Sequence, residues 1–288
     1  MILVDLNQVV ISSLMLQVGS KGYGADINED LMRHIVLNTI RAHRNRFHEK
    51  YGEMVICCDH HHYWRRDVFP HYKAGRKKVR EQSGFDWGVI FDTLNTVREE
   101  LDTYFPYKVI RVDGAEADDI IGTLCHVHGS LLMREDEERI LILSSDKDFM
   151  QLQKYSNVDQ YSPQQNKFIR TTEPEKYLKE HIFKGDRGDG IPNILSDDDV
   201  FVSDKRQSPL RASKIESWIN EQPEAIFDRK IYRGYMRNEQ LIDLGKVPKN
   251  IQEEILNQYE QKGNGREQLF DYFVKHKLQN LMEHIGEF

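Results

Sequence analysis

The sequence predicts an α/β protein in which a mostly parallel central sheet is flanked by helices and followed by a smaller all-helical C-terminal domain. Three observations lead to this prediction. Short apolar runs rich in Val and Ile alternate with longer segments of helical period in the first part of the chain. No strand-like run occurs after about residue 185. The length of 288 residues, at about 150 residues per domain, is enough for two domains.

Four apolar runs are predicted as strands, and three segments between them have the spacing of amphipathic helices. In the third of these segments, Ala117, Ile120 and Leu124 share one face, as in a helix that lies on a sheet. A polar segment at residues 158–172 is predicted as a small strand pair at the sheet edge, around a turn at 163–166. The predicted strands are residues 2–6, 54–59, 108–112 and 139–144, and the predicted helices are residues 28–48, 86–104 and 116–128.

The rest of the chain is predicted to be helical. From about residue 210, helices are separated by Pro223, by Pro248 and by a glycine-containing break at residues 263–265. The acidic run at residues 197–199 is predicted as a solvated loop or cap. We therefore place a domain boundary near residue 185, between an α/β domain at residues 1–185 and a helical domain at residues 186–288.

The composition narrows the class of protein. Hydrophobic residues make up 39% and charged residues 30% of the chain, which is typical of a globular protein rather than a disordered one. No apolar run approaches a membrane span, and the first residues lack the layout of a secretory signal. Three cysteines, Cys57, Cys58 and Cys125, do not make a disulfide framework. We expect a cytoplasmic protein that does not contact membranes.

The net charge of −7 argues at first against a nucleic-acid partner, because proteins that bind phosphates usually carry a basic surplus. The charges are not evenly spread, however. Residues 65–80 contain seven basic side chains and one acid. The question is then whether the acids are scattered as a solubilising surface or gathered at a site.

Carboxylates follow the predicted strands at the points where the strands end. Two strands end in an aspartate, another is followed by a pair of aspartates, and the fourth by three acids in the first turn of the next helix. Because functional groups collect beyond the carboxyl ends of parallel strands, we expect all these acids at one edge of the sheet. They are Asp5, Asp59, Glu116, Asp118, Asp119, Asp146 and Asp148.

Each acid alone has a simpler interpretation, because aspartate after a strand commonly caps the next helix and suits its dipole. Capping needs one acid per helix start, whereas two of these positions supply two or three. Gathering the extra carboxylates without cations would cost several kcal/mol in repulsion. Bound divalent cations are the natural compensation.

The chemical type of the predicted ligands indicates which metal ion binds and which reaction it supports. All seven side chains are carboxylates, which favours Mg²⁺ or Mn²⁺ over zinc. Two such ions are the common device for attack of water at phosphorus. The sequence lacks a Walker-type phosphate loop, so transfer from ATP is not favoured. Hydrolysis of phosphodiester bonds is the predicted chemistry.

The basic segment supplies a complement to these acids. It begins four residues after Asp59 and interleaves cations with aromatic rings such as Tyr63, Trp64 and Tyr72. Cations bind phosphates and rings stack on unpaired bases. The alternative is a solvated helix face with its aromatic residues in the core. The position directly after a candidate metal ligand favours the nucleic-acid interpretation.

Six ordered motifs resemble those of the flap-endonuclease or 5′-nuclease family, and most of all its bacteriophage ribonuclease H branch. The similarity also includes residues 63–67, 161–163 and 272–275, so that it covers nearly the whole chain. The motifs are Asp5, Asp59, Arg66 with Pro70-x-Tyr72-Lys73-x-x-Arg76, Glu116-Ala-Asp118-Asp119, Ser145-Asp146-x-Asp148-Phe149-x-Gln151-Leu152, and Gly185-Asp186-x-x-Asp189.

The resemblance implies a PIN-like nuclease domain with a basic arch at residues 60–85, and a DNA-binding helical domain. It implies a magnesium-dependent 5′-to-3′ exonuclease and flap endonuclease with ribonuclease H activity. The substrates would be RNA–DNA hybrids and branched or nicked duplex DNA, and the role would be removal of lagging-strand RNA primers during phage DNA replication. A monomer in the host cytoplasm, with a sliding clamp or a single-strand-binding protein as partner, is also implied.

The resemblance assigns roles to residues, including two acids that spacing alone would leave in a loop, Asp186 and Asp189. One Mg²⁺ would be surrounded by Asp5, Asp59, Glu116 and Asp118. The second would be held or oriented by Asp119, Asp146, Asp148, Asp186 and Asp189, directly or through water, and Mn²⁺ would substitute. The scissile phosphate would contact Arg66, Lys73 and Arg76. The remaining nucleic-acid contacts would be Arg65, Tyr72, Lys77, Lys78, Arg80, Arg211, Ser213 and Lys214.

The sequence departs from the family pattern after Asp189. Most relatives continue with a Gly-x-Gly hairpin that grips duplex DNA and can bind potassium, whereas this chain continues with Gly190, Ile191, Pro192 and Asn193. A potassium site is therefore not favoured, and the downstream duplex would depend on residues 211–214 at the start of a helix. The three histidines at residues 60–62 are interpreted as a mobile start of the arch rather than a transition-metal site, because no further Cys or His cluster completes one.

Two alternatives stay open. The chain could be a related metal nuclease that acts on single-stranded RNA, which a comparison of flap, nicked, hybrid and single-stranded substrates would distinguish. It could instead be a replication protein that binds branched DNA without cleaving it. That second alternative predicts missing metal ligands, whereas all nine carboxylates are present.

Overall fold

The computed structural model describes residues 1–19, 27–132, 137–203, 205–261, 263 and 265–288. Within these ranges one six-stranded sheet forms. Its strands are β1 (Ile2–Asp5), β2 (Met54–Cys57), β3 (Lys108–Ile110), β4 (Ile140–Leu143), β5 (Val158–Ser162) and β6 (Lys167–Ile169). The strand order is β3-β2-β1-β4-β5-β6, in which only β6 pairs antiparallel. The predicted α/β class and the small strand pair at the sheet edge are confirmed.

Helices connect and cover the strands. Those before residue 185 are α1 (Leu6–Gly19), α2 (Glu29–Tyr51), α3 (Trp64–Val68), α4 (Arg76–Gln82), α5 (Trp87–Tyr104), α6 (Ala117–His128) and α7 (Pro174–Lys184), with a 3₁₀ helix at Asp148–Lys154. Those after it are α8 (Ala212–Trp218), α9 (Pro223–Ile226), α10 (Arg229–Ile242), α11 (Lys249–Glu260), α12 (Leu269–Lys275) and α13 (Gln279–Met282), with 3₁₀ helices at Leu244–Lys246 and Ile285–Glu287. The predicted helices and the breaks at Pro223 and Pro248 agree with these bounds.

The helices α1, α3, α4 and α7 were not predicted, and the longest of them is α1. The first strand ends at Asp5, and α1 begins at the next residue without a loop. The Asp5 carboxylate accepts the main-chain N–H of Gln8 at 3.1 Å, which stabilises this abrupt start. Hydrophobic periodicity did not indicate this helix, because apolar residues of the helix lie on most of its sides. The second strand also ends two residues earlier than predicted, at Cys57.

The two faces of the sheet carry separate hydrophobic cores, because successive strand side chains point in opposite directions. On one face, Ile2 and Val4 pack with residues of α1, α2 and α5 and with the C-terminal Phe273. On the other face, Leu3 packs with α6 and with Ile255 of α11. The C-terminal segment thus covers both faces, and the division at residue 185 stays a prediction.

A third hydrophobic cluster joins the predicted arch to the C-terminal helices. Phe69 and Tyr72, from the segment between α3 and α4, pack with Phe183 of α7 and with Ile194 and Tyr235 farther along the chain. All three cysteines are buried as unpaired thiols. Among the described helices, none has both the length and the apolar character needed to cross a membrane.

Candidate metal centre and nucleic-acid interface

A cavity of about 640 Å³ opens beyond the carboxyl ends of β1 and β2. The predicted sheet edge is therefore a real recess in which acids from four separate segments come together. The five predicted metal ligands that line it are Asp5, Asp59, Glu116, Asp118 and Asp146. Basic side chains line the same cavity, and they are Arg66, Lys73, Arg76, Arg80 and Arg111.

The aspartates that end β1 and follow β2 are held by neutral donors. The Asp5 carboxylate accepts the hydroxyl of Ser144, at the end of β4, at 3.0 Å. The Asp59 carboxylate accepts the Asn7 side-chain amide at 2.7 Å and the main-chain N–H of Ala117 at 2.8 Å. Asp59 therefore connects the starts of α1 and α6, and both carboxylates keep a fixed orientation.

Glu116 is the N-cap of α6 and lies at the centre of a charged network. Its main-chain N–H donates to the Asp119 carboxylate at 2.9 Å, in a capping box. Its own carboxylate accepts the Tyr72 hydroxyl at 2.8 Å and forms ion pairs with Arg65 and Lys73. Burial acts to raise the pKa of Glu116, but Lys73 and Arg65 outweigh it and lower this pKa below its usual value.

A second cavity of about 410 Å³ adjoins the first, and Gln8 and Asp146 line both. It contains Asp148 and Asp186, two of the acids predicted for a second ion, together with His181 of α7. The ligand atoms of Asp148, His181 and Asp186 all lie within 4.8 Å of one another. This is the spacing of groups able to bind one metal ion.

The electrostatics of the two cavities fit divalent cations. Burial, followed by the nearby Asp59, raises the pKa of Asp5 to about 7. Burial, followed by Asp146, raises the pKa of Asp148 to about 7, and burial with Asp146 and Asp5 raises that of Asp118 well above its usual value. Carboxylates that are crowded in this way resist ionisation unless cations compensate them. Their hard oxygen donors are those that Mg²⁺ and Mn²⁺ prefer.

Two predicted metal ligands do not line either cavity. Asp119 is fully buried, and its carboxylate accepts the Trp64 indole N–H at 3.2 Å and lies 2.8 Å from the Arg65 guanidinium. Asp189 accepts the Tyr72 hydroxyl at 3.1 Å and pairs with Arg76 at 2.5 Å. Both acids contact protein donors, so their metal role stays a prediction.

Lys73, one of the three predicted phosphate contacts, is buried. It adopts a left-handed backbone conformation with φ of 56°, and its main-chain N–H donates to the Asp189 carbonyl at 2.7 Å. Its ammonium group lies between the Glu116 and Asp189 carboxylates. These contacts fix the amine at the wall of the larger cavity.

The other predicted phosphate contacts are more open. The exposed Arg66 guanidinium lies 5.0 Å from the centre of the Tyr63 ring, and Arg76 is about half exposed. Arg80 lies 4.7 Å from the centre of the Phe91 ring, at the rim of the larger cavity. Lys77 and Lys78 are exposed on α4 and line neither cavity.

The remaining predicted nucleic-acid contacts fall into two groups. Arg65 and Tyr72 are each only 2% exposed, because α10 and α7 cover this part of the arch. Arg211, Ser213 and Lys214 are exposed at the start of α8, and the Lys214 ammonium lies 4.7 Å from the centre of the Trp218 ring. The first group is buried within the protein, and a nucleic-acid role for the exposed second group stays a prediction.

The other acids and histidines that the sequence singled out have partners in the protein. In the acidic run, Asp198 pairs with Arg237 at 2.5 Å and Asp199 with Lys205 at 2.9 Å. His60 lies 3.0 Å from the Asp113 carboxylate, and His62 lies 3.1 Å from Asp67. These are contacts to carboxylates rather than a shared metal position among histidines.

His181 is the main residue that the sequence analysis missed. It lies five residues before Asp186, and its ring nitrogens lie 3.4 Å from carboxylate oxygens of Asp148 and Asp186. These carboxylates outweigh burial and raise the pKa of His181, while the contact with His181 lowers the pKa of Asp186 to about 2. The only signal in the sequence was helical phase, which does not show which face a helix buries.

Two family models match the chain. The first, described as 5′-3′ exonuclease, N-terminal resolvase-like domain, matches residues 25–182. The second, described as T4 RNase H, C terminal, matches residues 172–288. Ribonuclease H of Enterobacteria phage T4 is 34% identical to this chain, over 99% of this chain and 95% of that protein. Flap endonuclease Xni of Aliivibrio fischeri (strain ATCC 700601 / ES114) is 27% identical, over 45% of this chain and 47% of that protein.

Solved structures share the fold. A variant of the bacteriophage T5 D15 flap endonuclease, crystallised as a pseudo-enzyme-product complex with DNA and metal ions, has a TM-score of 0.59 at 16% identity, over 90% of this chain and 99% of that one. The T5 D15 protein co-crystallised with metal ions has a TM-score of 0.60, with the same identity and coverage. The predicted architecture is confirmed by this likeness.

Proposed function

Because this chain belongs to the 5′-3′ exonuclease family, with a C-terminal region of the T4 ribonuclease H type, we propose that it is a magnesium-dependent 5′-to-3′ exonuclease and flap endonuclease. Its proposed substrates are RNA–DNA hybrids and branched or nicked duplex DNA. The proposed role is the removal of lagging-strand RNA primers during phage DNA replication. The observation that carries the proposal is the cavity that five carboxylates and five basic side chains line together.

The donor groups support two ion positions. The first position takes Asp5, Asp59, Glu116 and Asp118, and the second takes Asp146, Asp148 and Asp186. Two divalent ions, when bound, supply an activated water and stabilisation of the leaving oxygen. We assign Asp119 and Asp189 an orienting role, because both contact cations and donors of the arch.

The basic side chains of the larger cavity bind the substrate phosphate. Arg66 and Arg76 present partly exposed guanidinium groups to the cavity, and Lys73 presents an amine held by Glu116 and Asp189. These cations compensate the charge that develops when water adds to phosphorus. Hydrolysis breaks the bond between phosphorus and the 3′ oxygen, and leaves a 5′-phosphate on one product and a 3′-hydroxyl on the other.

A cleavage assay with labelled substrates tests the proposal. Purified protein is incubated with a 5′-labelled flap, a nicked duplex, an RNA–DNA hybrid and single-stranded RNA, with Mg²⁺ or with a chelator. We expect short products from the first three substrates, and only with Mg²⁺. Cleavage of single-stranded RNA alone would contradict the proposed substrate class and favour the other nuclease alternative.

The Asp146→Asn variant tests the site itself. Since Asp146 lines both cavities, we expect this variant to lose cleavage and to keep substrate binding. Asp92→Asn is the matched control, because Asp92 is an exposed residue of α5 that lines neither cavity. Cleavage at the wild-type rate by Asp146→Asn would contradict the metal assignment. Binding without cleavage by the wild-type protein under all conditions would favour a non-catalytic binder of branched DNA.

A further inference from the structure

The smaller cavity contains a histidine side chain, whereas the sequence analysis had predicted only carboxylates there. His181 projects from α7 and is packed beside the Tyr177 ring, whose centre lies 5.9 Å away. The side chain is 13% exposed, and its Nδ1 is buried without a hydrogen-bond partner. Buried polar atoms normally have a bonding partner, so this ring nitrogen is expected to have one other than a protein hydrogen-bond donor or acceptor.

The distances around this ring fit metal ligands better than direct hydrogen bonds. Nδ1 lies 3.4 Å from Asp148 Oδ1, and Nε2 lies 3.4 Å from Asp186 Oδ2. A strong charge-assisted hydrogen bond would be about 2.7–2.9 Å. Two ligands that each lie about 2.1 Å from one tetrahedral ion are about 3.4 Å apart. One ring nitrogen and one oxygen from each aspartate lie within 4.8 Å of one another, which is compatible with a single ion bound by all three residues.

The placement of the two nitrogens also fits a common arrangement at metal sites. When one imidazole nitrogen binds an ion, the other keeps its proton and usually donates it to a carboxylate or carbonyl. Here Nδ1 lacks a hydrogen bond and faces Asp148, whereas Nε2 faces Asp186, so Nδ1 can bind the ion while Nε2 donates to a carboxylate oxygen. The ring orientation needs no change for this.

We propose that His181 is a nitrogen ligand of the second ion position, together with Asp148 and Asp186, and that this position prefers transition-metal ions to Mg²⁺. Imidazole favours the first-row transition metals, whereas carboxylates alone suit Mg²⁺. The first position has only carboxylates and stays a Mg²⁺ site. The inference rests on the proposed function only in treating the smaller cavity as a metal position.

Binding of Mn²⁺ tests this proposal without any measurement of activity. Electron paramagnetic resonance counts the unbound ion, and its pulsed form detects a directly coordinated ¹⁴N nucleus. In a large excess of Mg²⁺, we expect the wild-type protein to retain one Mn²⁺ with ¹⁴N coupling. The His181→Asn variant is expected to lose the coupling and to bind this Mn²⁺ at least about tenfold more weakly.

Two further variants test whether the effect is specific to His181. His34→Asn removes an exposed histidine of α2 that lines neither cavity, and should leave both readouts unchanged. Asp5→Asn alters the first position and should leave the nitrogen-coupled Mn²⁺ in place. Circular dichroism of each variant establishes that it is folded.

The outcomes separate this inference from the proposed function. Wild-type protein without ¹⁴N coupling, or a folded His181→Asn variant that keeps it, overturns the inference and leaves His181 as a structural link between two carboxylates. Nitrogen coupling in a protein that cleaves none of the four substrates supports the inference and contradicts the proposed function. Cleavage with Mg²⁺ in the absence of coupling supports the proposed function and overturns the inference.

Discussion

The guanidinium of Arg65 donates a 2.8 Å hydrogen bond to the main-chain carbonyl of Leu241, the penultimate residue of α10. The same group lies 2.8 Å from the Asp119 carboxylate and 3.1 Å from that of Glu116. Arg65, Glu116 and Asp119 are all buried. One cation therefore compensates two carboxylates and connects the arch to a helix that is distant in the sequence.

Replacement of Arg65 should destabilise the fold. Arg65→Leu leaves the buried Asp119 carboxylate without its cation and leaves Glu116 paired with Lys73. Breaking a buried ion pair costs about 3–5 kcal/mol in the free energy of unfolding. Urea unfolding monitored by circular dichroism measures this difference. Arg66→Ala is the matched control, since the neighbouring Arg66 is exposed and its loss should change stability by no more than about 0.5 kcal/mol. Equal stability of Arg65→Leu and wild type would contradict the structural role of Arg65.

Metal ions should stabilise the protein more at pH 8 than at pH 5.5. Burial, with nearby carboxylates, raises the pKa values of Asp5 and Asp148 to about 7. A carboxyl group whose pKa is higher in the folded than in the unfolded protein stabilises the fold below about pH 4. This stabilisation is lost as the pH rises through about 7. Mg²⁺ reverses this loss because it compensates the ionised form. Thermal unfolding with Mg²⁺ and with a chelator, at both pH values, measures the effect.

Asp5→Asn provides the control for this pH dependence. The amide removes a charge from the crowded cavity, so the variant without metal should be at least as stable as wild type at pH 8. Its gain in melting temperature with Mg²⁺ should be smaller, because one ligand of the first position is altered. An Asp5→Asn variant with the wild-type response to both pH and Mg²⁺ would show that Asp5 does not contribute to metal binding.

Glu100 should make the fold sensitive to acid. It pairs with Arg33 at 2.7 Å and accepts the Tyr272 hydroxyl at 2.7 Å, which joins α5 to α2 and α12. Burial opposes ionisation, but the Arg33 and Tyr272 contacts outweigh it and lower the pKa of Glu100 below 4.5. A lowered acid pKa contributes stability above about pH 4.5, and this stability is lost as the pH falls through the pKa in the folded protein.

Glu100→Gln tests this contribution. We expect a loss of about 1.5–3 kcal/mol at pH 7, the range for hydrogen bonds to charged groups, and a weaker dependence of stability on pH below 4.5. The neighbouring Glu99 is 75% exposed, so Glu99→Gln should leave the free energy of unfolding nearly unchanged. Denaturant unfolding at pH 3.5, 5 and 7 compares the three proteins. Identical pH profiles for Glu100→Gln and wild type would contradict the assignment.

Part of the site was predictable because it follows from local sequence and sheet topology. Asp5, Asp59 and Asp146 follow parallel strands, and the carboxyl ends of such strands meet at one edge. Glu116 and Asp118 were predictable because the start of α6 lies at the same edge. Asp186, in contrast, was assigned only from the family resemblance, since nothing in its local sequence distinguishes it from an ordinary loop acid.

The rest depended on packing between distant segments. A run of charges indicates an exposed surface, but Arg65 is buried because Leu241, 176 residues away, supplies a carbonyl partner. His181 faces the smaller cavity because α7 packs against the 3₁₀ helix that begins at Asp148. Neither relationship is visible from spacing within one segment. Helix α1 was missed for a different reason, because it is apolar on most sides and shows no amphipathic period.

The exposed cations at the start of α8 should contribute to substrate binding without affecting the chemistry. Arg211 and Lys214 are exposed and line neither cavity. Each phosphate contact that is lost should lower the slope of log affinity against log salt concentration by about 0.9. The double variant Arg211→Ala, Lys214→Ala is therefore expected to bind a nicked duplex more weakly, with a slope smaller by about 2 and an unchanged cleavage rate at saturating substrate.

The double variant Lys249→Ala, Arg266→Ala removes the same charge from exposed positions outside both cavities and should keep the wild-type slope. Fluorescence anisotropy over a range of salt concentrations measures the slopes. Equal slopes in the two double variants would show that the loss of charge, rather than the position of α8, determines binding.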